Sequence, residues 1–405
     1  MVIFMQKNIK CKVFSSLLVI ILCIQISNIE LFYATEVPSM YSGAYALTDG
    51  STDRFLYGKN ENNPMANAST TKILTCIVAL EKSNMSEVVT ISAYAKKQPK
   101  VRLGMEEGEQ YPIMDILYGL MLESYNDCAV AIAEHIAGSV EEFSILLNEK
   151  AKEIGCEDTY FITPNGLDAE NEENFHHTTA RDLCKIMSYC VWKSPQKEQF
   201  IKITQTQSYQ GTNGKNNYYF SNRNTLLSSM DGLISGKTGF TSKAGYCYVA
   251  AYEKDGEKYC IALLACGWPN NKTYKWKDAR ALLEYGTRNY DNVYINEEIV
   301  IKYISVNGYI SNPMFENINR KMEVEIVGEF SKNNILLGKE EHVEQIIEID
   351  KDITLPINKK QKLGVGYLYV GDYMLEMVPF VSKNSADEWD IWNVFLAVIR
   401  QYINF

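Results

Sequence analysis

Ser69 and Lys72 stand three residues apart in the run NASTTKILTCIVALE, residues 67–81. Ile73, Leu74, Ile77, Val78 and Leu80 recur there at the spacing of an apolar helix face, and the lysine falls on that stripe. On a helix, residues three apart share a face, so the ammonium of Lys72 can reach the hydroxyl of Ser69. A serine is a poor nucleophile until a base takes its proton. A lysine becomes that base when burial among apolar neighbours, or the positive end of a helix dipole, lowers its pKa. Taken alone, the pair also admits a plainer reading, in which Ser69 caps the helix and Lys72 snorkels to water. That reading puts Lys72 where a capping box wants Glu or Gln. Ser194 and Lys197 repeat the same spacing.

Two further motifs narrow the choice. Ser124-Tyr125-Asn126 falls at a break between two apolar helical runs, and Lys237-Thr238-Gly239 precedes Phe240 just ahead of a hairpin pattern. Enzymes that acylate a serine with an S-x-x-K pair use S-x-N and K-T-G as the other walls of the site. S-x-N recurs at Ser305–Asn307 and Ser331–Asn333, whereas K-T-G occurs once. Requiring the three in order leaves Ser69, Ser124 and Lys237. Singly, Asn126 could only begin a helix and Lys237 could be a solvated strand residue.

Other chemistries find little to work with. The four histidines, His135, His176, His177 and His342, come without a G-x-S-x-G elbow. His135 reads as a helix-surface residue and His176-His177 as loop. There is no H-E-x-x-H, and no metal or other cofactor is expected. Eight of the ten cysteines lie between Cys76 and Cys266 without C-x-x-C spacing, mostly inside apolar helices and strands, which favours free thiols.

The elements that must carry these groups follow from periodicity. The 405 residues, 46% hydrophobic and 22% charged, suffice for two domains, and the net charge of −10 argues against a nucleic-acid partner. Lys7, Lys10 and Lys12 before the apolar run Val13–Ile26 have the order of a secretory signal, with cleavage after Ala34. YPIMDILYGLML and NDCAVAIAEHIAG read as helices, the second closed by Gly138; AGYCYVAAYEKDGEKYCIALLACG reads as a hairpin turning at Asp255-Gly256. The chain divides near residue 290. Beyond it, residues 293–382 read as a small β-rich domain, with Met322, Val324 and Ile326 of KMEVEIV pointing inward. In the last segment, 387–405, Asp390, Asn393, Ala397, Arg400, Gln401 and Asn404 fall in one narrow wedge of a helix that is apolar elsewhere. It either docks on the protein or lies in a membrane interface with its tryptophans at headgroup depth.

With the motifs in place, the chain resembles the low-molecular-weight penicillin-binding proteins that are serine D-Ala-D-Ala carboxypeptidases, the peptidase S11 family. NASTTKILTCIVALE resembles the family's P-A-S-T-T-K helix, LESYNDCAVAIAEHIAG its S-x-N-D-A segment, and GKTGFTSKAGYC its K-T-G strand. TPNGLDAENEENFHHTTARDLCKIM resembles the stretch that follows in these enzymes. The resemblance implies an α/β (α+β) penicillin-binding, β-lactamase-like catalytic domain over 35–290, a β-rich domain over 293–382 and a membrane-associating helix over 387–405. It implies an exported enzyme at the outer face of the membrane, acting on peptidoglycan stem peptides and trapped by β-lactams. By position, Ser69 would attack the penultimate D-alanine carbonyl, Lys72 would be the base, and Ser124 would relay a proton. Asn126 would orient the substrate amide, and Lys237 and Thr238 would bind the terminal carboxylate. The N–H groups of Ser69 and Phe240, with Gly239 between the walls, would form the oxyanion hole. The chain departs from the family pattern at Ile234-Ser235-Gly236 before K-T-G, at Tyr125 and at Asn67-Ala68. A β-lactamase, a DD-endopeptidase, or a non-catalytic penicillin-binding wall protein would share the motifs.

Overall fold

The computed structural model describes residues 38–295, 299–312, 315–331 and 333–386, together with Phe395 and Ile399. The leader over 1–34, and the terminal segment 387–405 apart from those two residues, lie outside the described residues. Five antiparallel strands make the first sheet: β1 (Ala44–Asp49), β2 (Phe55–Lys59), β3 (Leu233–Thr241), β4 (Gly245–Lys254) and β5 (Glu257–Leu264), in the order β2-β1-β5-β4-β3. The hairpin β4–β5 turns at Asp255-Gly256 as its sequence requires. Lys254 pairs with Glu257, and both turn residues have positive φ, 54° and 86°, the condition for a type I′ turn.

The middle strands are apolar on both faces because both faces are covered. Cys247, Val249, Cys260 and Ala262 face a group of helices that includes α1 (Lys72–Lys82), α2 (Asn126–Ala137), α3 (Val140–Ile154) and α4 (Ala180–Ser188). Tyr248, Ala250, Ile261 and Leu263 face α5 (Tyr274–Asn289). α1 is the surprise: it is buried on every side from Lys72 to Leu80, not only along its apolar stripe. It packs against α2 and α3, and its polar Thr75 is satisfied by donating to the Pro164 carbonyl at 2.7 Å. α2 ends, as expected, on Gly138 in the left-handed region at φ 84°. The preceding helix, Ile113–Tyr118, runs into a π-turn over Gly119–Glu123 and stops at Ser124, itself left-handed at φ 67°.

Beyond α5 the chain is β-rich. β6 (Tyr290–Ile295) pairs with β9 (Asn333–Gly338). A five-stranded antiparallel sheet is formed by β7 (Ile299–Asn312), β8 (Phe315–Glu329), β10 (Val343–Ile349), β11 (Lys362–Val370) and β12 (Tyr373–Ser382), in the order β7-β8-β12-β11-β10. Val324 and Ile326 are buried with Phe330 and Phe380, the alternation that KMEVEIV encodes. The junction near 290 is no free linker. Leu336 packs among residues of the first sheet and its N–H donates to Asp49 at 3.1 Å. Arg54 donates to the Leu336 carbonyl and to both oxygens of Glu341, at 2.7 and 2.8 Å. The eight cysteines between Cys76 and Cys266, all on the catalytic-motif side of that junction, are free thiols, buried except for the half-buried Cys156.

Candidate active site

Ser69 sits in a single 3-10 turn, Ala68–Thr71, that feeds directly into α1. Ala68 adopts φ +50°, a sparsely populated conformation for a residue with a Cβ, and it persists because its surroundings over-determine it. Asn67 supplies part of that support by donating to the hydroxyls of Thr70 and Thr71 at 3.0 and 2.9 Å. Lys72 is fully buried. Its Nζ lies 2.7 Å from Ser69 Oγ, 2.9 Å from Asn126 Oδ1 and 2.6 Å from the Asn165 carbonyl oxygen. Burial first, and the charge of Lys237 second, push the Lys72 ammonium well below its ordinary pKa. The lysine on the apolar stripe is therefore a desolvated amine in hydrogen-bond contact with the serine beside it.

Opposite it, the left-handed Ser124 presents Oγ to Lys237 Nζ at 2.8 Å, and the same ammonium donates to the Thr238 carbonyl at 2.9 Å. Lys237 is buried, and that burial, with the Arg223 charge adding to it, brings its pKa down to about 7. Asn126, the first residue of α2, accepts from Lys72 while its Nδ2 donates to the Pro99 carbonyl at 3.2 Å. β3 lies against the serine turn because Gly239 has no side chain. A Cβ there would stand 3.0 Å from both the Asn67 carbonyl oxygen and Ser69 N. Ser69, Ser124, Asn126, Thr238, Gly239 and Phe240 thus line one cleft of about 580 Å³. Among the described residues no group of His, Cys, Asp and Glu is placed to hold a metal ion.

The competing matches fall away on geometry. Ser194 Oγ donates to Glu81 at 2.6 Å, while Lys197 Nζ reaches only the Trp192 carbonyl. Ser331 Oγ donates to Glu376 at 2.6 Å. His135 sits on α2 with Nε2 2.7 Å from Glu87. Tyr125, the bulky middle residue of S-x-N, turns from the cleft and packs edge-on against Phe220 at 5.7 Å, beside Gly119. Ser235, before K-T-G, is buried with no hydrogen-bond partner for its hydroxyl among the described residues.

Several contributors escaped the motif reading. The Asn165 carbonyl accepts from Lys72 across 93 positions of chain, and it is a backbone group, so no residue type announces it. Gly166, φ +79°, lets that turn close on the serine: a Cβ there would come within 1.9 Å of the Ala68 carbonyl oxygen. The T-P-N-G turn was the available signal. His176-His177 lie in a loop, as expected, with His176 at a bend and His177 making an isolated bridge to Tyr160. His176 is buried and stacked on Phe161 at 5.1 Å. Its Nδ1 accepts from the Ile162 N–H at 3.0 Å, so Nε2 carries the proton and donates to Thr71 Oγ1 at 2.9 Å. Burial brings its pKa down to about 3, so the ring stays neutral as a brace between the two turns. Arg223, at the cleft edge, is held by Glu123 through Nε at 2.8 Å and Nη2 at 2.7 Å.

The chain is similar to known proteins over most of its length. The family model described as "D-alanyl-D-alanine carboxypeptidase", Peptidase_S11, matches residues 32–265. The chain is 29% identical over 347 residues to D-alanyl-D-alanine carboxypeptidase DacF of Bacillus subtilis, with 84% of each chain covered. It is 27% identical over 390 residues to DacD of Escherichia coli, covering 89% of this chain and 91% of the relative. Among solved structures, penicillin binding protein 5 from Haemophilus influenzae superposes with a TM-score of 0.68 at 25% identity, over 87% of this chain and 99% of that one.

Proposed function

Because the chain belongs to the D-alanyl-D-alanine carboxypeptidase family, peptidase S11, and is a serine carboxypeptidase, we propose that Ser69 is its acylated residue and Lys72 the base. The carrying observation is the buried Lys72 amine 2.7 Å from Ser69 Oγ. Lys72 takes the hydroxyl proton as Oγ attacks the carbonyl of the penultimate D-alanine of a peptidoglycan stem peptide. The N–H groups of Ser69 and Phe240 hold the oxyanion that forms, with fixed dipoles already aimed at it. Ser124 relays a proton to the leaving amine, Asn126 orients the amide, and D-alanine departs. Lys237 and Thr238 hold the terminal carboxylate, with Arg223 as a further positive charge near it and Gly239 allowing the close approach of β3. Water then attacks the ester with Lys72 again as base. A β-lactam enters the same path and stalls as an ester of Ser69. No metal or cofactor has a part in these steps.

The division of the chain that suits this activity is a leader over 1–34, a catalytic domain over 35–290, a β-rich domain over 293–382 and a membrane-associating helix over 387–405. That arrangement places the enzyme outside the cytoplasm, at the outer face of the membrane. Purified protein incubated with diacetyl-Lys-D-Ala-D-Ala should release D-alanine, and Ser69→Ala should abolish both that release and covalent penicillin labelling. Labelling without release would favour a non-catalytic wall protein. Labelling that survives Ser69→Ala and disappears in Ser194→Ala would refute the assignment of the nucleophile.

A further inference from the structure

The cleft that holds Ser69 is lined by four basic side chains, Lys100, Arg223, Lys272 and Lys275, and by no carboxylate, in a chain whose net charge is −10. Arg223 is compensated by Glu123. Among the described residues, Lys100, Lys272 and Lys275 have no acidic partner. The terminal carboxylate of a D-Ala-D-Ala peptide accounts for Lys237, and nothing in the acylation chemistry requires the other three.

Their position says what part of a substrate they meet. β3 runs from Lys237 and Thr238, where the leaving carboxylate goes, past Phe240, so the acyl side of the scissile bond lies beyond Phe240. Phe240 pairs across the strands with Tyr246. Lys275 Nζ stands 4.5 Å from the Tyr246 ring centroid and 4.7 Å from that of Trp276, buried between the two faces, with one N–H on the Lys272 carbonyl. The ammonium is desolvated and held in place, and the exposed Lys272 stands next to it on the same lip of the cleft. A carboxylate meeting such a pair gains charge-assisted hydrogen bonds with little ordering cost.

We propose that Lys272 and Lys275 read a second carboxylate on the substrate, carried by the side chain of the residue before the two D-alanines. The preferred stem peptide then has a diamino diacid with its free carboxylate at that position, over one with a neutral or amidated side chain. The inference rests on the carboxypeptidase reading of the same site.

The test uses the full chain and two peptides, N-acyl-X-D-Ala-D-Ala, in which X is an N-acylated diaminopimelate with its side-chain carboxylate either free or amidated. The ratio of their kcat/KM values should favour the free acid by about tenfold, the usual scale of one contact to a charged group. It should shrink as salt is raised, because the contact is electrostatic and lies at a cleft mouth. Lys272→Gln and Lys275→Gln should each move the ratio toward one. Lys272→Gln is the safer variant, because Lys275 is packed between rings. The ratio is internal to each variant, so general loss of active protein does not mimic the effect. Equal turnover of the two peptides by the wild type, or a ratio unmoved by both substitutions, overturns the proposal and leaves the carboxypeptidase reading standing. Release of D-alanine from neither peptide overturns both.

Discussion

Lys72→Arg tests the chemistry where it is most exposed to refutation. The side chain is fully buried, and its Nζ contacts Ser69, Asn126 and the Asn165 carbonyl at 2.7, 2.9 and 2.6 Å. A guanidinium keeps length and charge, and offers donors to the same three oxygens, but it does not lose a proton at any working pH. The substitution therefore removes the base while leaving a cation. General-base catalysis by a positioned side chain contributes about 10²–10⁴ in rate, or roughly 3–5.5 kcal/mol of barrier. Acylation by a chromogenic penicillin should slow by that factor, and release of D-alanine should slow with it. In the wild type the acylation rate should also fall as pH is lowered and Lys72 takes up a proton, since only the neutral amine acts. In the variant that dependence should vanish. Thermal melting would show whether the variant remains folded, since a permanent charge now sits where burial favours a neutral amine. A folded Lys72→Arg protein that is acylated within a few-fold of the wild-type rate would refute the lysine-base mechanism.

Three further outcomes follow from the structure. Gly166→Ala should be strongly impaired in acylation and lose about 1–3 kcal/mol or more of stability, because its Cβ would stand 1.9 Å from the Ala68 carbonyl oxygen at φ +79°; unchanged melting and labelling would contradict the close approach. Lys237, with its pKa brought down to about 7, is protonated below that pH and loses its charge above it, so kcat/KM for a carboxylate-ended peptide should decline as pH rises through about 7 in the free enzyme. Lys237→Arg should push that decline to higher pH, and a flat profile from 6 to 9 in the wild type would speak against the carboxylate role. Deleting residues 387–405 should abolish co-sedimentation with liposomes while small-peptide turnover and melting stay unchanged; a truncated protein that melts much lower, from a parent that never bound liposomes, would support a docked helix instead.

What the chain makes legible by itself is what is local. Ser69 and Lys72 are one helical turn apart, so their contact is set by helix geometry, and Asp255-Gly256 forces its own hairpin by backbone preference. The order of S-x-x-K, S-x-N and K-T-G was enough to select which serine and which lysines converge. Alternation in KMEVEIV likewise marked Val324 and Ile326 as core. Whether Lys72 is a base or a surface cation was not local, because its pKa depends on burial by α2, α3 and the sheet, none of which its own turn encodes. The same holds for the Asn165 carbonyl, a group every residue possesses, and for His176, whose loop-like neighbours concealed a buried brace to Thr71. Tyr125 was visible only as a departure from the family pattern, and packing turns it onto Phe220; the division near 290 was legible, but not that Arg54 and Leu336 tie across it. Spacing along the chain determines which groups can meet within a turn. Only the packed structure decides which side chains lose their water, and that loss is what lowers the pKa of Lys72.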